Sequence, residues 1–202
     1  MNGRLSNYAL DNFIAPKLSQ LNKCIAPDVS KQYKESPHWL YNFILNMMLR
    51  FKIEGRDRQY RLFFLRRAQT AFREYDIARH MLQKYINSDE QNIELFVESL
   101  FHFETCIAQM WQAYDQTRRY LSSKNENYKD IYTKGDGSPY ERLNMLYNIT
   151  RYGGDNISVD GTVAMWITND GLEAKDASIT FDELAKLLGE IGYLADKLSN
   201  PT

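Results

Sequence analysis

Three polar side chains share the last turn of one predicted helix: Asn148, Arg151 and Tyr152. An amide, a guanidinium and a phenol gathered on one turn mark the first place to look for a chemical site. The chain has three histidines, and none of them follows this turn. A mechanism that needs a histidine in this segment is therefore disfavoured from the outset.

The helix that carries this turn has clear ends in the sequence. Ser138 and Glu141 have the spacing of a capping box, and Pro139 occupies the first helical position, where a fixed φ is favourable. Gly153 and Gly154 are typical of a helix end. We therefore expect one helix from 138 to 152.

A second candidate is Glu104, which lies in the middle of an apolar helix. A carboxylate in such a place pairs with a cation or shifts its pKa. Arg151 and Arg142 are the predicted partners, and a structural salt bridge is favoured over a catalytic acid. The loop 134–138, with two glycines before a helix, resembles an anion cradle, but a plain turn is favoured because Asp136 repels phosphate and the P-loop spacing is missing.

An arginine-rich helix supplies the third candidate surface. Arg66, Arg67 and Arg73, with aromatic residues nearby, would suit RNA phosphates and bases, although a solvated face is the more common outcome. Arg73 and His80 lie two helical turns apart, about 10 Å along the axis. They are too far apart to share a proton within one chain, but they could meet a partner's copies across a two-fold axis.

The elements that position these residues are mainly helices, because apolar residues recur at steps of three and four. Between them, residues 155–178 alternate like an extended arm or one short strand and contain an Asn-Asp-Gly turn. The prediction is an all-α bundle with two long antiparallel helices. The predicted helices are 8–25 with an interruption at Pro16, 36–52, 57–86, 88–122, 138–152 and 180–199. Further capping boxes, at 88–91 and at Thr180 with Glu183, mark the starts of two of them.

Composition is that of a globular protein, with 44% hydrophobic and 25% charged residues over 202 positions. A net charge of −1 hides an asymmetry: residues 1–154 carry 22 Lys and Arg against 17 Asp and Glu, and residues 155–202 carry 3 against 9. Two cysteines 82 positions apart indicate neither zinc nor a disulfide framework. We expect a cytoplasmic protein without a membrane span, metal or cofactor.

The pattern resembles the HEPN superfamily of bacterial α-helical proteins over about residues 57–198. The resemblance is carried by two long helices and a short helix with Leu143-Asn144 and Leu146-Tyr147-Asn148, followed by Trp166 to Leu172 and a leucine-rich final helix. It implies a single domain with a core at 36–152, an arm at 155–178 and a last helix at 180–199. It also implies a homodimer.

Active members of this superfamily are metal-independent ribonucleases that use an arginine, a polar residue and a nearby histidine. Here Tyr147 stands at the arginine position, Asn148 is kept, and Tyr152 stands at the histidine position. A phenol with a pKa near 10 is a poor general base at neutral pH, so the motif is degenerate. If the protein is active, Asn148, Arg151 and Tyr152 would stabilise the phosphate while Glu104, Arg142 and Tyr147 support them.

The resemblance thus implies a protein of a bacterial antiphage-defence or toxin–antitoxin system that cleaves RNA by attack of the 2′-hydroxyl. The alternative is a non-enzymatic interaction or sensor scaffold that dimerises and binds a protein or nucleic-acid partner. A third reading, a nucleotide-binding accessory protein, would use the loop 134–138.

Overall fold

The chain forms six α-helices and one small sheet in the part that the structure, a computed structural model, describes: residues 5–50, 53–88, 92–123, 131–152 and 163–200. The all-α prediction with two long helices is confirmed. The helices are α1 (Asn7–Phe13), α2 (Trp39–Leu49), α3 (Gly55–Asn87), α4 (Ile93–Ser123), α5 (Pro139–Arg151) and α6 (Phe181–Ser199). The strands are β1 (Met165–Ile167), β2 (Gly171–Ala174) and β3 (Ser178–Thr180).

Helices α3 and α4 form the antiparallel pair at the centre of the molecule. Tyr60 near the start of α3 stacks edge-on with Tyr120 near the end of α4, while Tyr85 near the end of α3 meets Phe96 near the start of α4. Small buried residues on α3, among them Ala71, let the two backbones approach closely. Their register fixes which side chains of the two helices meet.

Helix α2 and the segment before it close one side of the core. Trp39 is fully buried and donates its indole N–H to Asp196 of α6. Its ring also packs edge-on against Tyr33 and Phe72, with ring centroids 6.1 and 5.1 Å away. This aromatic cluster joins the N-terminal segment, α2 and α6 to α3.

Residues 38–51 of the sequence are apolar nearly all round, which predicts a helix buried on more than one side, but the outer face of α2 is exposed. Phe43 is buried, but Tyr41, Met48 and Leu49 are 62%, 76% and 77% exposed. The helix lies at the surface and only its inner face contacts α3 and α6. Its apolar outer residues therefore remain uncovered in the single chain.

The first predicted helix is much shorter than expected. Helix α1 ends at Phe13, ahead of Pro16, and a single 3₁₀ turn at Leu18–Gln20 follows. Lys17 adopts a positive φ of 61° between them. The proline removes a backbone donor and blocks continuation of the helix, so the apolar spacing continues without helical structure.

The predicted arm at 155–178 lies outside the described residues up to position 162, and from position 165 onward the chain forms a three-stranded antiparallel sheet instead of an extended arm or a single strand. Strand order is β1-β2-β3, with Met165 opposite Ala174 and Leu172 opposite Ile179. The Asn-Asp-Gly turn joins β1 to β2. Strands of three or four residues are too short for their alternation to reveal the pairing, which depends on contacts between strands.

The three predicted capping boxes have different outcomes. The box at Thr180 and Glu183 forms completely. At the start of α5, Ser138 accepts from the Glu141 amide, but the Glu141 carboxylate reaches back to the loop instead. The box at 88–91 falls largely outside the described residues, as do Gly153 and Gly154.

Candidate functional site

A groove of about 630 Å³ runs between α4 and α5. It contains three of the predicted site residues, Glu104 of α4 and, more than 40 positions later in the sequence, Tyr147 and Arg151 of α5. Ala108 is the smallest of its lining side chains, and all the others are polar or charged. The lining residues are Glu104, Thr105, Ala108, Gln112 and Asp115 of α4 and Tyr147, Thr150 and Arg151 of α5.

The guanidinium of Arg151 is held in place at the groove by two tyrosines. Its Nη1 atom donates a hydrogen bond of 3.0 Å to the Tyr147 hydroxyl. Its central carbon lies 5.9 Å from the ring centroid of Tyr147 and 5.1 Å from that of Tyr152. Because a guanidinium carries five N–H donors, Arg151 keeps donors for a ligand while its position is fixed.

Tyr147 is the buried support of this arrangement. Its residue is 8% exposed, and its ring lies 6.4 Å from that of Trp111 on α4. Tyr147 lines the groove, where its hydroxyl accepts the hydrogen bond from Arg151. It anchors the arginine one turn later.

Glu104 lies on the opposite wall and is half-buried. In the described part of the chain no donor contacts its carboxylate, and burial raises the pKa of this group. The predicted salt bridge is therefore absent. Arg142 instead pairs with Glu183 and donates to the Gly137 carbonyl. Arg142 is thus engaged by the capping glutamate of α6 and by the loop before α5.

Of the predicted RNA-binding residues, only Arg67 approaches the groove. It donates to Gln109 of α4 at 2.9 Å. Burial and neighbouring Arg66 lower the pKa of Arg67, while the nearby phenol of Tyr147 opposes this effect. Arg67 therefore interacts electrostatically with Tyr147, one of the residues that line the groove.

The other three predicted RNA-binding residues, Arg66, Arg73 and His80, lie on a different face of α3. Arg66 and Arg73 line a separate cavity of about 320 Å³ beneath the N-terminal segment. His80 is exposed, and its Nδ1 atom lies 2.8 Å from the carbonyl and 3.4 Å from the carboxylate of Asp76. The four residues do not form one continuous surface, because Arg67 is rotated by about 100° from Arg66 around the helix.

Asn148 and Tyr152 flank the groove without lining it. Asn148 is exposed and donates to Asn144 one turn earlier at 3.2 Å. Tyr152 is 52% exposed, and its ring contacts the Arg151 guanidinium. Of the predicted catalytic group, Arg151 alone faces the groove.

The backbone amides of the glycine loop before α5 already donate hydrogen bonds to carboxylates of the same chain. Gly135 and Gly137 both adopt positive φ, which allows their amides to point toward the Glu141 carboxylate. Asp136 accepts from the amides of Thr133 and Ser138 at 2.8 Å each. A phosphate would have to displace these carboxylates, so the geometry does not favour a nucleotide site here.

Sequence reasoning missed the neutral polar residues of the groove, Thr105, Gln112 and Thr150. On α4 the signal was present, because Thr105, Ala108, Gln112 and Asp115 advance by three or four positions along one face. Their small or polar character distinguished this face from the apolar one. It did not reveal that α5 forms the other wall.

No protein-family model, curated protein or solved structure matches the chain. Among the described helices, none is both long and apolar enough to cross a bilayer. The same residues contain no group of three or more His, Cys, Asp and Glu side chains arranged to hold a metal ion.

Proposed function

We propose that this chain is a HEPN-like protein that binds single-stranded RNA in the groove between α4 and α5. The observation that carries the proposal is the Arg151 guanidinium, fixed by the Tyr147 hydroxyl across the groove from Glu104. A cationic donor held in one orientation loses little entropy when it binds a phosphate. Arg67, which interacts electrostatically with Tyr147, adds a second positive charge.

The rest of the groove suits the sugar and base edges of RNA. Thr105, Gln112 and Thr150 offer hydroxyl and amide groups that can donate and accept. Glu104 supports binding of an anion once it is protonated, because it then donates a hydrogen bond and repels no phosphate. Burial raises the pKa of Glu104, so its protonation begins at a higher pH than that of a free glutamate.

A homodimer belongs to the same proposal. Its support is the outer face of α2, where Tyr41, Met48 and Leu49 are more than half exposed. Contiguous exposed apolar side chains mark interaction surfaces in soluble proteins. A cytoplasmic role in antiphage defence or in a toxin–antitoxin pair follows from the superfamily resemblance.

RNA binding is tested by fluorescence anisotropy with a labelled single-stranded RNA at two salt concentrations. Arg151→Ala should weaken binding about tenfold, the loss expected for one charge-assisted hydrogen bond. It should also reduce the salt slope by about one phosphate contact. The matched control is Arg58→Ala, which removes an exposed arginine from α3 outside the groove.

Equal affinities for Arg151→Ala and Arg58→Ala would reject the groove as the binding site. Failure of the unmodified protein to bind RNA at low salt would reject the proposed function altogether.

The second candidate function is the non-enzymatic scaffold. It is favoured by one observation: the residues that line the groove include no histidine. A ribonuclease assay separates the two readings, since a scaffold binds RNA without cleaving it. If the protein and its Arg151→Ala variant show equal residual cleavage, the α5 residues have no part in catalysis.

A further inference from the structure

The cavity of about 320 Å³ beneath the N-terminal segment is a second enclosed space, separate from the groove between α4 and α5. Its volume lies at the lower end of the range for pockets that hold small organic molecules. Part of its wall is apolar and comes from both α3 and the segment that leads into α2. These apolar lining residues are Val29, Pro37, Leu40 and Phe72.

Contacts between the walls hold this cavity open in one shape. Phe72 is 4% exposed and packs edge-on against Tyr33, with ring centroids 5.1 Å apart. Gln69 donates to the Pro37 carbonyl at 2.8 Å and accepts from the Leu40 amide, which ties α3 to the start of α2. A ligand that enters therefore meets walls that are already ordered, which lowers the entropic cost of binding.

Three charged side chains of α3 line the same cavity: Arg66, Arg73 and Asp76. Positions 66 and 73 are two helical turns apart, and position 76 follows one turn later, so the three lie along one side of the helix. In the described part of the chain no ion pair joins either arginine to Asp76. Positive and negative groups thus stand next to each other without neutralising each other.

Both arginines have hydrogen-bond donors left for a ligand. Arg73 donates from Nε and Nη2 to Oε1 of the buried Glu74 at 3.1 and 2.8 Å, which fixes the direction of its guanidinium. Two of its five N–H groups are used in this way, and three remain. Arg66 is exposed and forms no ion pair with any residue that the structure describes.

Asp76 supplies an acceptor beside these donors. Its Oδ1 atom lies 3.4 Å from Nδ1 of His80, and its Oδ2 atom has no hydrogen-bond partner among the described residues. Asp76 would repel a ligand that carries only negative charge, and the two arginines would repel one that carries only positive charge. A ligand that carries both charges close together on an apolar body meets all of these groups favourably.

We propose that this cavity binds a free α-amino acid with an apolar side chain, of the size of leucine or phenylalanine. The carboxylate contacts Arg66 and Arg73, and the ammonium group contacts Asp76. The apolar side chain packs against Leu40 and Phe72. A free amino acid fits better than a peptide, because only the free molecule carries both charges on one carbon atom.

This inference does not rest on RNA binding, because the cavity and the groove are lined by different residues. It is tested by isothermal titration calorimetry of the full chain with L-phenylalanine and L-leucine. Two analogues serve as matched probes: hydrocinnamate lacks the ammonium group, and phenethylamine lacks the carboxylate. Each should bind at least about tenfold more weakly than L-phenylalanine, because each leaves a charged group of the cavity unpaired.

Two variants assign the charges to their partners. Asp76→Asn should weaken binding of L-phenylalanine about tenfold and should not weaken binding of hydrocinnamate. Arg66→Gln should weaken binding of both carboxylates and should not weaken binding of phenethylamine. The matched control is Arg58→Gln, which removes an exposed arginine of the same helix outside the cavity and should bind normally. Thermal melting verifies that each variant is folded.

Absence of binding by both amino acids at millimolar concentration would overturn the inference. Equal affinities of the unmodified protein for L-phenylalanine and hydrocinnamate would overturn it too, and this comparison decides the role of the ammonium group if Asp76→Asn does not fold. Equal affinities of Arg66→Gln and Arg58→Gln for L-phenylalanine would exclude the cavity as the site. Failure of RNA binding would leave this inference intact, and failure of amino-acid binding would leave the proposed function intact.

Discussion

Glu74 and Glu104 occupy the same pair of long helices, yet their surroundings are opposite. Glu74 is 5% exposed and accepts three hydrogen bonds from the side chains of Arg73 and His102. Glu104 is half-buried, and no donor contacts it in the part of the chain that the structure describes. The pKa of Glu74 is lowered and that of Glu104 is raised.

Burial alone does not decide the charge state of a carboxylate. Burial disfavours the ionised form at both positions, and hydrogen bonds to the ionised form reverse the effect only at Glu74. A satisfied carboxylate stabilises the fold and orients its neighbours. An unsatisfied one remains available to a ligand in the groove.

The largest expected effect is the loss of stability in Glu74→Ala. The change removes the shared acceptor of Arg73 and His102 from the buried seam between α3 and α4. We expect the free energy of unfolding to fall by about 2 kcal/mol, the scale of losing hydrogen bonds to a charged group, because Arg73 and His102 remain partly exposed to water. Chemical denaturation measures it, with exposed Glu98→Ala as the control. Equal losses in the two variants would show that Glu74 contributes no more to the free energy of unfolding than an exposed glutamate does.

A smaller effect concerns how Glu74 responds to acid. Its pKa in the folded protein lies below the ordinary glutamate value of 4.5, so the folded state binds the proton less readily than the unfolded chain. Its stabilisation is therefore complete above about pH 4.5 and is lost as the pH falls through the lowered pKa. Denaturation of the protein and of Glu74→Gln at several pH values should show the difference in stability shrinking below pH 4.5. A constant difference would contradict this sign.

The smallest effect is a gain of stability in Glu104→Gln. Because burial raises the pKa of Glu104, its ionised form destabilises the fold at neutral pH, and a neutral amide of the same size removes that cost. We expect a gain of roughly 0.5 to 1 kcal/mol near pH 7. The gain should shrink in acid, where Glu104 is protonated. Thermal melting at pH 7 and pH 4 measures the gain. The control Glu98→Gln should melt at the same temperature as the unmodified protein. A loss of stability in Glu104→Gln at pH 7 would contradict the prediction, because it would mean that the carboxylate has a partner.

The long helices could be predicted closely because their signal is local and repeated. The expected range 57–86 for α3 compares with Gly55–Asn87 in the structure. Ser138 and Thr180 were recognised as N-caps, and both accept the expected backbone hydrogen bond. Apolar spacing over many turns and a capping side chain depend only on neighbours in sequence.

The sheet and the outer face of α2 could not be predicted in the same way. Pairing of Met165 with Ala174 depends on strands too short to show a period. The apolar residues of α2 indicated burial, but whether Met48 is covered depends on which elements pack beside it. In the candidate site, Tyr147 was predicted to support Arg151, and the two side chains are hydrogen-bonded. The predicted salt bridge of Glu104 with Arg151 or Arg142 was wrong.

Spacing along the chain specified the two long helices, the caps at Ser138 and Thr180, and the place of Arg151 one turn after Tyr147. Packing between elements specified that Arg73 and His102 share the carboxylate of Glu74 and that, among the described residues, no donor contacts Glu104. The physical reason is the register between helices. A side chain four positions away is set by the helix itself, but one on the facing helix is set by how the two surfaces pack.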